Sequence, residues 1–318
     1  MEAKPIQDFV VSDNITSFFA VRRKTIREYT KGQFVSLELG DATGRINGVI
    51  WEPDQFCLED LAEGMVVKVR GVVGEYNNKK QLTVNRIRLA EDNEYPLEQI
   101  LPHSSQPIEE RRARILNLTE KIENSYIKSL VDSFFEDEQF LSDFLTAPAG
   151  KLWHHAFIGG LAEHTANVTE LALRASSGYD FLNKDYLLFG GLFHDAGKIG
   201  QYSTTTVIDY SDEGRLVGHI CLVDDWICRR AEKIEAFPPK LLMKLRHMIL
   251  SHQGELAYAT PVVPQMPEAF LIYYCDEIDS KMGAIERIRD RHGGTGWSDY
   301  VSLISRYLYF GESEPDQK

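Results

Sequence analysis

The hydrophobic period of this 318-residue chain changes near residue 107, and this change constrains the fold more than any other feature. Before it, segments such as Phe34-Val35-Ser36-Leu37-Glu38-Leu39 alternate apolar and polar side chains, which is the period of a β-strand. After it, apolar residues recur every three or four positions through eight successive segments, which is the period of an amphipathic helix. The two periods occupy separate parts of the chain, so we expect a β domain followed by a helical domain.

Five short strands are predicted within residues 15–90, because turn signals separate the alternating segments. The signals are Gly40-Asp41-Ala42-Thr43-Gly44, Glu63-Gly64 and Asn77-Asn78. Five strands in about 75 residues favour a small closed barrel. The turn at 41–46, the following Trp51 and the hairpin at 71–82 resemble those of nucleic-acid-binding OB folds.

The predicted fold class is multidomain: a small all-β OB-like barrel followed by an all-α helical bundle. The barrel is assigned to residues 1–90 and the helical domain to 108–318. Between them, residues 91–107 are polar, carry three prolines and read as a linker. The helical segments extend to about residue 309, and residues 202–214 interrupt them as a loop or short hairpin expected beside the functional site.

The net charge of −13 belongs to the helical part of the chain. Residues 1–90 hold 13 basic and 12 acidic side chains, whereas residues 91–318 hold 22 and 36. Net acidity weakens nonspecific nucleic-acid binding, but local basic clusters at 22–27, 79–80 and 86–88 leave room for a binding groove on the barrel.

A barrel of this kind binds single strands by stacking bases on exposed rings beside basic side chains. The candidate rings are Phe19 and Tyr76, together with Phe18, Tyr29 and Phe34; the candidate phosphate contacts are Arg22, Arg23, Lys24, Lys79 and Lys80. For each ring the alternative is packing in the barrel core, and for the basic side chains it is a solvated surface.

Seven of the nine histidines lie between Trp153 and Gln253, and His194-Asp195 ends an apolar run. Burial of a carboxylate without a partner is costly, and a bound cation relieves that cost. Helical spacing places His164, His252 and Asp276 on or beside the apolar faces of three other segments. Several helices that each direct a His or Asp inward are typical of a metal site in a helical bundle.

The order His164, His194-Asp195, Asp276 resembles that of the HD-domain metal-dependent phosphohydrolases. The resemblance implies that these four residues hold a first metal ion, with Asp195 as the bridge to a second ion held by His219 and His252. Gln253 stands where related two-metal enzymes often have a second histidine, a departure that weakens the expectation for the second ion. Asp279, one turn after Asp276, suits a supporting or surface carboxylate better than a ligand.

Mixed imidazole and carboxylate ligands suit manganese, iron, cobalt, nickel or zinc better than magnesium alone. One or two such ions would favour attack of water on phosphorus. The predicted catalytic residues are Asp195, Lys198 as a contact to the scissile phosphate, and His155 as a helper. His154 and His155 are candidates for substrate contacts or for packing.

The whole arrangement of barrel, linker and helical HD domain resembles the YhaM-type 3′→5′ exoribonucleases. This resemblance rests on Trp153-His154-His155-Ala156, Gly160-Leu161-x-Glu163-His164-Thr165, His194-Asp195-x-Gly197-Lys198, Gly218-His219-Ile220, Leu250-Ser251-His252 and Asp276-x-x-Asp279-x-Lys281-Met282. It implies a manganese-dependent nuclease that shortens single-stranded RNA, with single-stranded DNA as an alternative substrate.

Two other functions fit the same residues. One is a phosphohydrolase of free nucleotides or cyclic dinucleotides in which the barrel is regulatory, and the other is a non-catalytic RNA-binding protein. The four cysteines have no C-x-x-C spacing, no run of 18 apolar residues occurs, and the first residues have no signal-peptide pattern. We therefore expect a cytoplasmic protein with no membrane partner; a homo-oligomer is compatible with the sequence.

Overall fold

The computed structural model of the protein describes residues 4–29, 32–53, 58, 60–91, 94–151 and 155–312. The chain forms two compact units. The first comprises Met1–Ser105 with Tyr202–Ser211, and the second comprises Gln106–Gln201 with Asp212–Lys318.

The first unit is built on a closed five-stranded barrel, as the sequence predicted. Its strands are β1 (Asn14–Tyr29), β2 (Gly32–Gly40), β3 (Arg45–Ile50), β4 (Val66–Tyr76) and β5 (Lys79–Leu89). They are arranged in the order β1-β2-β3-β5-β4; β3 and β5 are parallel, and the other neighbours described by pairing are antiparallel. Alternate strand side chains point inward and form a core that includes Phe19, Leu37, Leu39, Val67 and Leu82; Phe9, which precedes β1, belongs to the same core.

The turn between β2 and β3 is closed by the Asp41 side chain. Its Oδ1 atom accepts hydrogen bonds from the backbone N–H of Thr43 at 2.7 Å and of Gly44 at 2.9 Å. Its Oδ2 atom accepts from the backbone N–H of Ile6 at 2.7 Å. This carboxylate therefore replaces backbone partners in the turn, which explains why the Asp-x-Thr-Gly pattern marks it.

The barrel unit also contains a short helix, α1 (Leu97–Ile100), and a two-stranded hairpin, β6 (Tyr202–Thr204) with β7 (Ile208–Tyr210). The hairpin lies in the 202–214 segment, where the sequence predicted a loop or hairpin. Its Thr206 hydroxyl donates to the Gly64 carbonyl, and Val207 packs against the buried cluster of Ala20, Val66 and Ile100. A segment from the middle of the helical sequence thus completes the first unit.

The second unit is helical, also as predicted. Its helices are α2 (Ile108–Thr119), α3 (Ser125–Phe135), α4 (Glu138–Thr146), α5 (Gly160–Ala175), α6 (Lys184–Phe193), α7 (Lys198–Gln201), α8 (Asp212–Leu216), α9 (His219–Ala231), α10 (Pro239–Leu250) and α11 (Pro267–His292). Asn124, Asp137 and Asn183 cap α3, α4 and α6 by accepting from backbone N–H groups of the first turn. The apolar core of this unit includes Phe134, Phe144, Leu161, Phe189, Phe193 and Ile227.

The helix predicted over 298–309 is wrong. The segment instead makes isolated β-bridges between Trp297 and Tyr309 and between Val301 and Arg306, with a single 3-10 turn at Ser302–Ile304. Its aromatic rings contact each other in two pairs, Trp297 with Tyr309 and Tyr300 with Tyr307. The apolar residues that suggested a helix therefore contact each other between two extended stretches of chain. Within the described ranges, every helix is too short or too polar to cross a membrane.

Candidate metal centre

Six helical-unit residues predicted as metal ligands lie on or next to five helices. His164 is on α5, His194-Asp195 follows α6, His219 begins α9, His252 follows α10 and Asp276 is on α11. Four imidazole Nε2 atoms lie within 3.4 to 3.7 Å of the Asp195 carboxylate; they belong to His164, His194, His219 and His252. Asp276 Oδ1 lies 3.2 Å from His164 Nε2, at the edge of this group.

Close helix packing buries Asp195. Residues 187–193 of α6 are all buried, and Asp195 is only 2% exposed. A Cβ atom at Gly191 would lie 2.3 Å from Thr169 Oγ1, so only glycine allows α6 to pack this closely on α5. The close neighbour of Gly191 is therefore the preceding helix, α5.

The two oxygens of Asp195 face different partners. Oδ2 accepts a hydrogen bond from Lys198 Nζ at 2.6 Å and lies 3.4 Å from His164 Nε2 and 3.5 Å from His194 Nε2. Oδ1 lies 3.4 Å from His219 Nε2 and 3.7 Å from His252 Nε2. The carboxylate thus lies between two pairs of histidines.

The first cluster of potential ligands consists of His164 Nε2, His194 Nε2 and Asp195 Oδ2. The two imidazole nitrogens are 3.1 Å apart. Ligand atoms that share one ion at about 2.1 Å lie about 3.0 to 3.4 Å from one another. The distances within this cluster, 3.1, 3.4 and 3.5 Å, are therefore close to those between atoms around a single ion.

Hydrogen bonds fix the orientation of each of these imidazoles. In all four, Nδ1 faces an oxygen acceptor, so Nδ1 carries the proton and Nε2 is left with the lone pair that a metal requires. The acceptors are Asp279 Oδ2 for His164 at 2.7 Å, the Gly191 carbonyl for His194 at 2.8 Å, Gln201 Oε1 for His219 at 2.9 Å and the Ile249 carbonyl for His252 at 2.7 Å.

The second cluster consists of Asp195 Oδ1, His219 Nε2 and His252 Nε2. Among the described residues, Asp195 Oδ1 and His219 Nε2 are buried side-chain atoms without a hydrogen-bond partner. Both atoms are acceptors, and buried acceptors that face each other are unfavourable unless a cation or a proton lies between them. The donor set therefore fits a divalent ion on chemical grounds.

The three carboxylates near His164 create a demand for positive charge at that residue, whereas burial keeps two other imidazoles neutral. Burial lowers the pKa of His194 to about 4 and that of His219 to about 3, so both imidazoles are neutral at pH 7. Burial alone would lower the pKa of His164 as well, but the Asp195, Asp276 and Asp279 carboxylates raise it well above 6.5. A proton on His164 or a metal ion can meet this demand, and the two compete for the same nitrogen.

The carboxylate of Asp195 is ionised despite its burial. Burial opposes its ionisation, but the Lys198 ammonium and the neighbouring His194 hold its pKa well below the ordinary value. The structure thus brings the predicted catalytic pair, Asp195 and Lys198, into direct contact.

Asp279 organises the side of the site next to His164. Its Oδ2 atom lies 2.7 Å from His164 Nδ1 and 2.9 Å from His155 Nε2. Burial opposes ionisation of Asp279, but these hydrogen bonds from His155 and His164 lower its pKa. Asp279 was predicted to be either a carboxylate that supports a ligand or a surface residue, and its contact with His164 Nδ1 corresponds to the first role. Its position one helical turn after Asp276 is what indicated this role in the sequence.

His155 reaches the site from an unusual backbone position. Its φ angle of 42° lies in the left-handed region, and its buried ring contacts Asp279. The structure therefore places this predicted helper on the His164 side of the centre. His154, the other histidine predicted there, lies outside the described residues.

On the barrel, the prediction that Phe19 stacks on a base is wrong. The ring is 0% exposed and packs edge-on against Phe9 in the barrel core. Burial of an aromatic ring inside a small barrel is favourable, whereas a ring without exposed surface cannot receive a base.

Three of the predicted phosphate contacts bind the barrel unit itself. Arg22 is half-buried, its Nη2 atom donates to the Ile100 carbonyl at 3.3 Å, and burial lowers its pKa to about 10. The Lys24 ammonium donates to the Leu58 and Leu61 carbonyls, and the Lys80 ammonium donates to the Phe9 carbonyl. These bonds compete with any phosphate.

Three other barrel candidates are exposed. Arg23 and Lys79 are exposed, and Tyr76 is 64% exposed. Tyr76 pairs with Lys79 across the β4–β5 turn, so an aromatic and a basic residue occupy facing positions of the hairpin. The structure therefore leaves this pair and Arg23 accessible to a strand.

A second ring surface on the barrel, which we call the aromatic triad, consists of Tyr29, Phe34 and Trp51. The ring centroids of Phe34 and Trp51 are 5.1 Å apart, those of Tyr29 and Trp51 are 5.5 Å apart, and Trp51 is 46% exposed. The sequence marked Tyr29 and Phe34 as candidate rings but Trp51 only as a feature of the fold. The pairing of Val35 with Ile50 brings them together, and that register is not visible in a sequence pattern.

Comparison with known families agrees with this architecture. Residues 20–90 match the family model described as "OB-fold nucleic acid binding domain", and residues 161–281 match the one described as "HD domain". The chain therefore combines an OB fold of the nucleic-acid-binding type with an HD domain, which indicates a metal-dependent phosphohydrolase.

Solved structures also align with the barrel. The second OB-fold domain of replication protein A from Methanococcus maripaludis is 24% identical, with a TM-score of 0.24, over 29% of this chain and 98% of that one. An OB domain from Methanosarcina mazei is 28% identical, with a TM-score of 0.26, over 33% and 98%. A replication protein A heterotrimer bound to single-stranded DNA is 20% identical, with a TM-score of 0.22, over 28% and 70%.

Proposed function

We propose that this protein is a metal-dependent 3′→5′ exonuclease that degrades single-stranded RNA, with single-stranded DNA as a second substrate. In this proposal the barrel binds the strand, and the helical unit hydrolyses the linkage of the 3′-terminal nucleotide. In sequence terms, the proposal assigns strand binding to the barrel strands within residues 1–90 and hydrolysis to the helices within 108–318, with 91–107 between them.

The observation that carries this proposal is the surroundings of Asp195. Four Nε2 atoms approach one buried carboxylate from two sides, and Asp195 Oδ1 and His219 Nε2 are buried without hydrogen-bond partners among the described residues. We assign His164, His194, Asp195 and Asp276 to a first ion and Asp195, His219 and His252 to a second. Bound divalent ions lower the pKa of water and polarise phosphoryl oxygens.

The mixed donor set guides the choice of ion. Imidazole nitrogens together with carboxylate oxygens suit manganese, iron, cobalt, nickel and zinc, whereas magnesium prefers oxygen ligands and water. We propose manganese as the working ion.

The reaction is the hydrolysis of one phosphodiester. A bond forms between a water oxygen and phosphorus, and the bond from phosphorus to the 3′ oxygen of the preceding nucleotide breaks. That oxygen leaves with a proton as a hydroxyl group, and the released product is a nucleoside 5′-monophosphate. We assign the Lys198 ammonium, which donates a hydrogen bond to Asp195, to the phosphate that reacts.

His155 is assigned to the substrate on the His164 side of the centre. Asp279 holds its ring by a hydrogen bond to Nε2 at 2.9 Å, and the same carboxylate holds His164. This shared partner fixes the distance between a substrate contact and a metal ligand, which favours a repeatable position for the terminal phosphate.

A polymeric substrate is favoured over a free nucleotide by the exposed rings of the barrel. The aromatic triad and the Tyr76–Lys79 pair combine stacking surfaces with positive charge, the pattern used to bind single strands without sequence preference. A hydrolase of free nucleotides has no need of such surfaces.

A time course on a 5′-labelled single-stranded RNA tests this function. The protein is first treated with a chelator and then assayed with and without added manganese. We expect a manganese-dependent ladder that shortens one nucleotide at a time from the 3′ end. The Asp195→Asn variant should lose metal content and activity together, because it removes the bridging charge at nearly constant volume.

Two results would overturn the proposal. An intact strand, with hydrolysis of a mononucleotide or cyclic dinucleotide by the same protein, would make it a nucleotide phosphohydrolase. RNA binding without turnover of any of these substrates would make it a non-catalytic RNA-binding protein.

A further inference from the structure

The two imidazoles of the second cluster differ in what their Nε2 atoms contact. His252 Nε2 belongs to the second cluster, and the Gln253 side-chain amide nitrogen lies 3.2 Å from it. Near the same Asp195 oxygen, His219 Nε2 is buried and has no hydrogen-bond partner among the residues that the structure describes. The two imidazoles of the second cluster are therefore not equivalent.

The direction of the hydrogen bond between Gln253 and His252 follows from the other side of the ring. His252 Nδ1 lies 2.7 Å from the Ile249 carbonyl, which can only accept, so Nδ1 carries the proton. The Nε2 atom must then be the acceptor, and the Gln253 amide must present its N–H. An imidazole nitrogen has one lone pair, which it cannot give to an amide N–H and to a metal ion at once.

The backbone of this turn is held while the Gln253 side chain is only half-buried. Gly254 has a φ of 76°, and a Cβ atom there would lie 2.2 Å from the Tyr273 ring, so the turn is packed tightly. The Gly254 N–H donates to the Ser251 carbonyl at 2.9 Å, and the Glu255 N–H donates to the Gln253 carbonyl at 2.8 Å. Release of His252 Nε2 therefore requires rotation of one side chain and no rearrangement of the turn.

We propose that Gln253 sets the affinity of the second metal position by competing for His252. The inference rests on the metal-dependent function proposed above and adds an order of filling. The cluster of His164, His194 and Asp195 fills first, and the cluster of Asp195, His219 and His252 fills only when the Gln253 amide turns away from His252.

Binding of Mn²⁺ to the metal-stripped full-length protein tests this order without any RNA. Isothermal titration calorimetry gives the affinities and the number of ions, and electron paramagnetic resonance distinguishes a single bound Mn²⁺ from a spin-coupled pair. For the natural sequence we expect one tight and one weaker ion. In Gln253→Ala the first affinity should not change, whereas the second should become about two- to tenfold tighter, the worth of one neutral hydrogen bond.

Two further variants control the measurement. Gln139→Ala removes another glutamine of the same unit, one that bonds Asp143 on α4, and it should leave both affinities unchanged. His252→Ala should abolish the weaker ion and the spin-coupled signal while the tight ion remains, which assigns the weaker class to this cluster.

The possible failures are distinguishable. If the natural protein binds two ions and Gln253→Ala leaves the second affinity unchanged or makes it weaker, the competition is refuted while the metal-dependent function stands. If the natural protein binds no Mn²⁺, the metal-dependent function fails, and this inference fails with it.

Discussion

The Lys198 ammonium lies 2.6 Å from Asp195 Oδ2, and both side chains are buried. The same oxygen faces His164 and His194, so the lysine and a metal ion would approach one carboxylate together. Lys198 thus supplies positive charge at a position where substrate phosphate would also be attracted.

Replacement of Lys198 by methionine tests this arrangement. Lys198→Met keeps the volume of the side chain and removes its charge, so Mn²⁺ binding should be retained while kcat on RNA falls about 10²- to 10³-fold. Loss of one partner of a buried ion pair can cost about 3 to 5 kcal/mol, so thermal unfolding is measured in parallel, with and without Mn²⁺. Parallel loss of metal and activity would instead make Lys198 a structural residue.

Asp279 should matter for metal affinity although it is not assigned as a ligand. Asp279→Asn removes the negative charge that accepts from His164 Nδ1, which makes the imidazole a poorer donor to a metal. We expect the affinity of the tight Mn²⁺ to fall about 10- to 100-fold in calorimetric titrations. Asp225→Asn, on the exposed part of α9, provides a control with the same change of charge; equal effects of both variants would remove the special role of Asp279.

Trp51 should contribute to the binding of long strands and not to hydrolysis. In Trp51→Ala, KM on a long single-stranded RNA should rise about 5- to 150-fold, since stacking contributes about 1 to 3 kcal/mol per base. The rate on a dinucleotide should remain unchanged. Phe181→Ala removes an exposed ring from the helical unit and should change the kinetics on neither substrate. If Trp51→Ala lost activity equally on the long and the short substrate, this division of roles would be contradicted.

A point variant is preferable to deletion of the barrel. Val207 of the hairpin packs against Ala20, Val66 and Ile100, so a truncation at residue 95 would expose apolar surface on the part that remains. Loss of activity after such a truncation would not report on strand binding alone.

The stability of the metal-stripped protein should fall with acidification from pH 7 to 5. The pKa values of His194 and His219 are about 4 and 3 in the folded protein, against 6.5 for an ordinary histidine. Between these values the unfolded chain binds more protons than the folded protein. The contribution of each residue to the free energy of unfolding is therefore complete above pH 6.5 and falls by about 1.4 kcal/mol per pH unit below it. His164, with its raised pKa, opposes this change only in the upper part of the interval, where its unfolded imidazole is still partly neutral, and two depressed histidines outweigh it.

Thermal unfolding at the two pH values measures this effect. We expect a lower Tm at pH 5, and a smaller decrease in His219→Gln, which has one fewer neutral buried imidazole. A Tm that stays constant or rises on acidification would show that these histidines are not held in the neutral state.

Local patterns were sufficient to predict the barrel, the helical unit and most of the histidines and carboxylates that the structure brings together around Asp195. The Asp41 turn is stabilised by bonds to residues within three positions, so its sequence identifies it. His164 and Asp276 could be placed by helical spacing, because a residue on the apolar stripe of a helix faces the core whichever helix packs against it.

Other features depend on partners distant in the sequence. Of the adjacent rings Phe18 and Phe19, the barrel buries the second completely, and only the pairing of β1 with β2 and β4 decides which one faces inward. The contact of Trp51 with Phe34 likewise depends on strand register. Tyr300 and Tyr307 contact each other across the segment that was predicted to be helical. Their spacing of seven residues equals about two helical turns, so the pattern alone does not distinguish this contact from one face of a helix.

The β6–β7 hairpin has a consequence for the biosynthesis of this protein. Although the barrel strands end at Leu89, the unit to which they belong includes Tyr202–Ser211. A ribosome must therefore translate nearly two thirds of the chain, including α2 to α7, before the N-terminal unit has all its parts. Until then the apolar surface of Ala20, Val66 and Ile100, on which Val207 packs, lacks this cover on the nascent chain. Such a surface is a binding site for chaperones during synthesis.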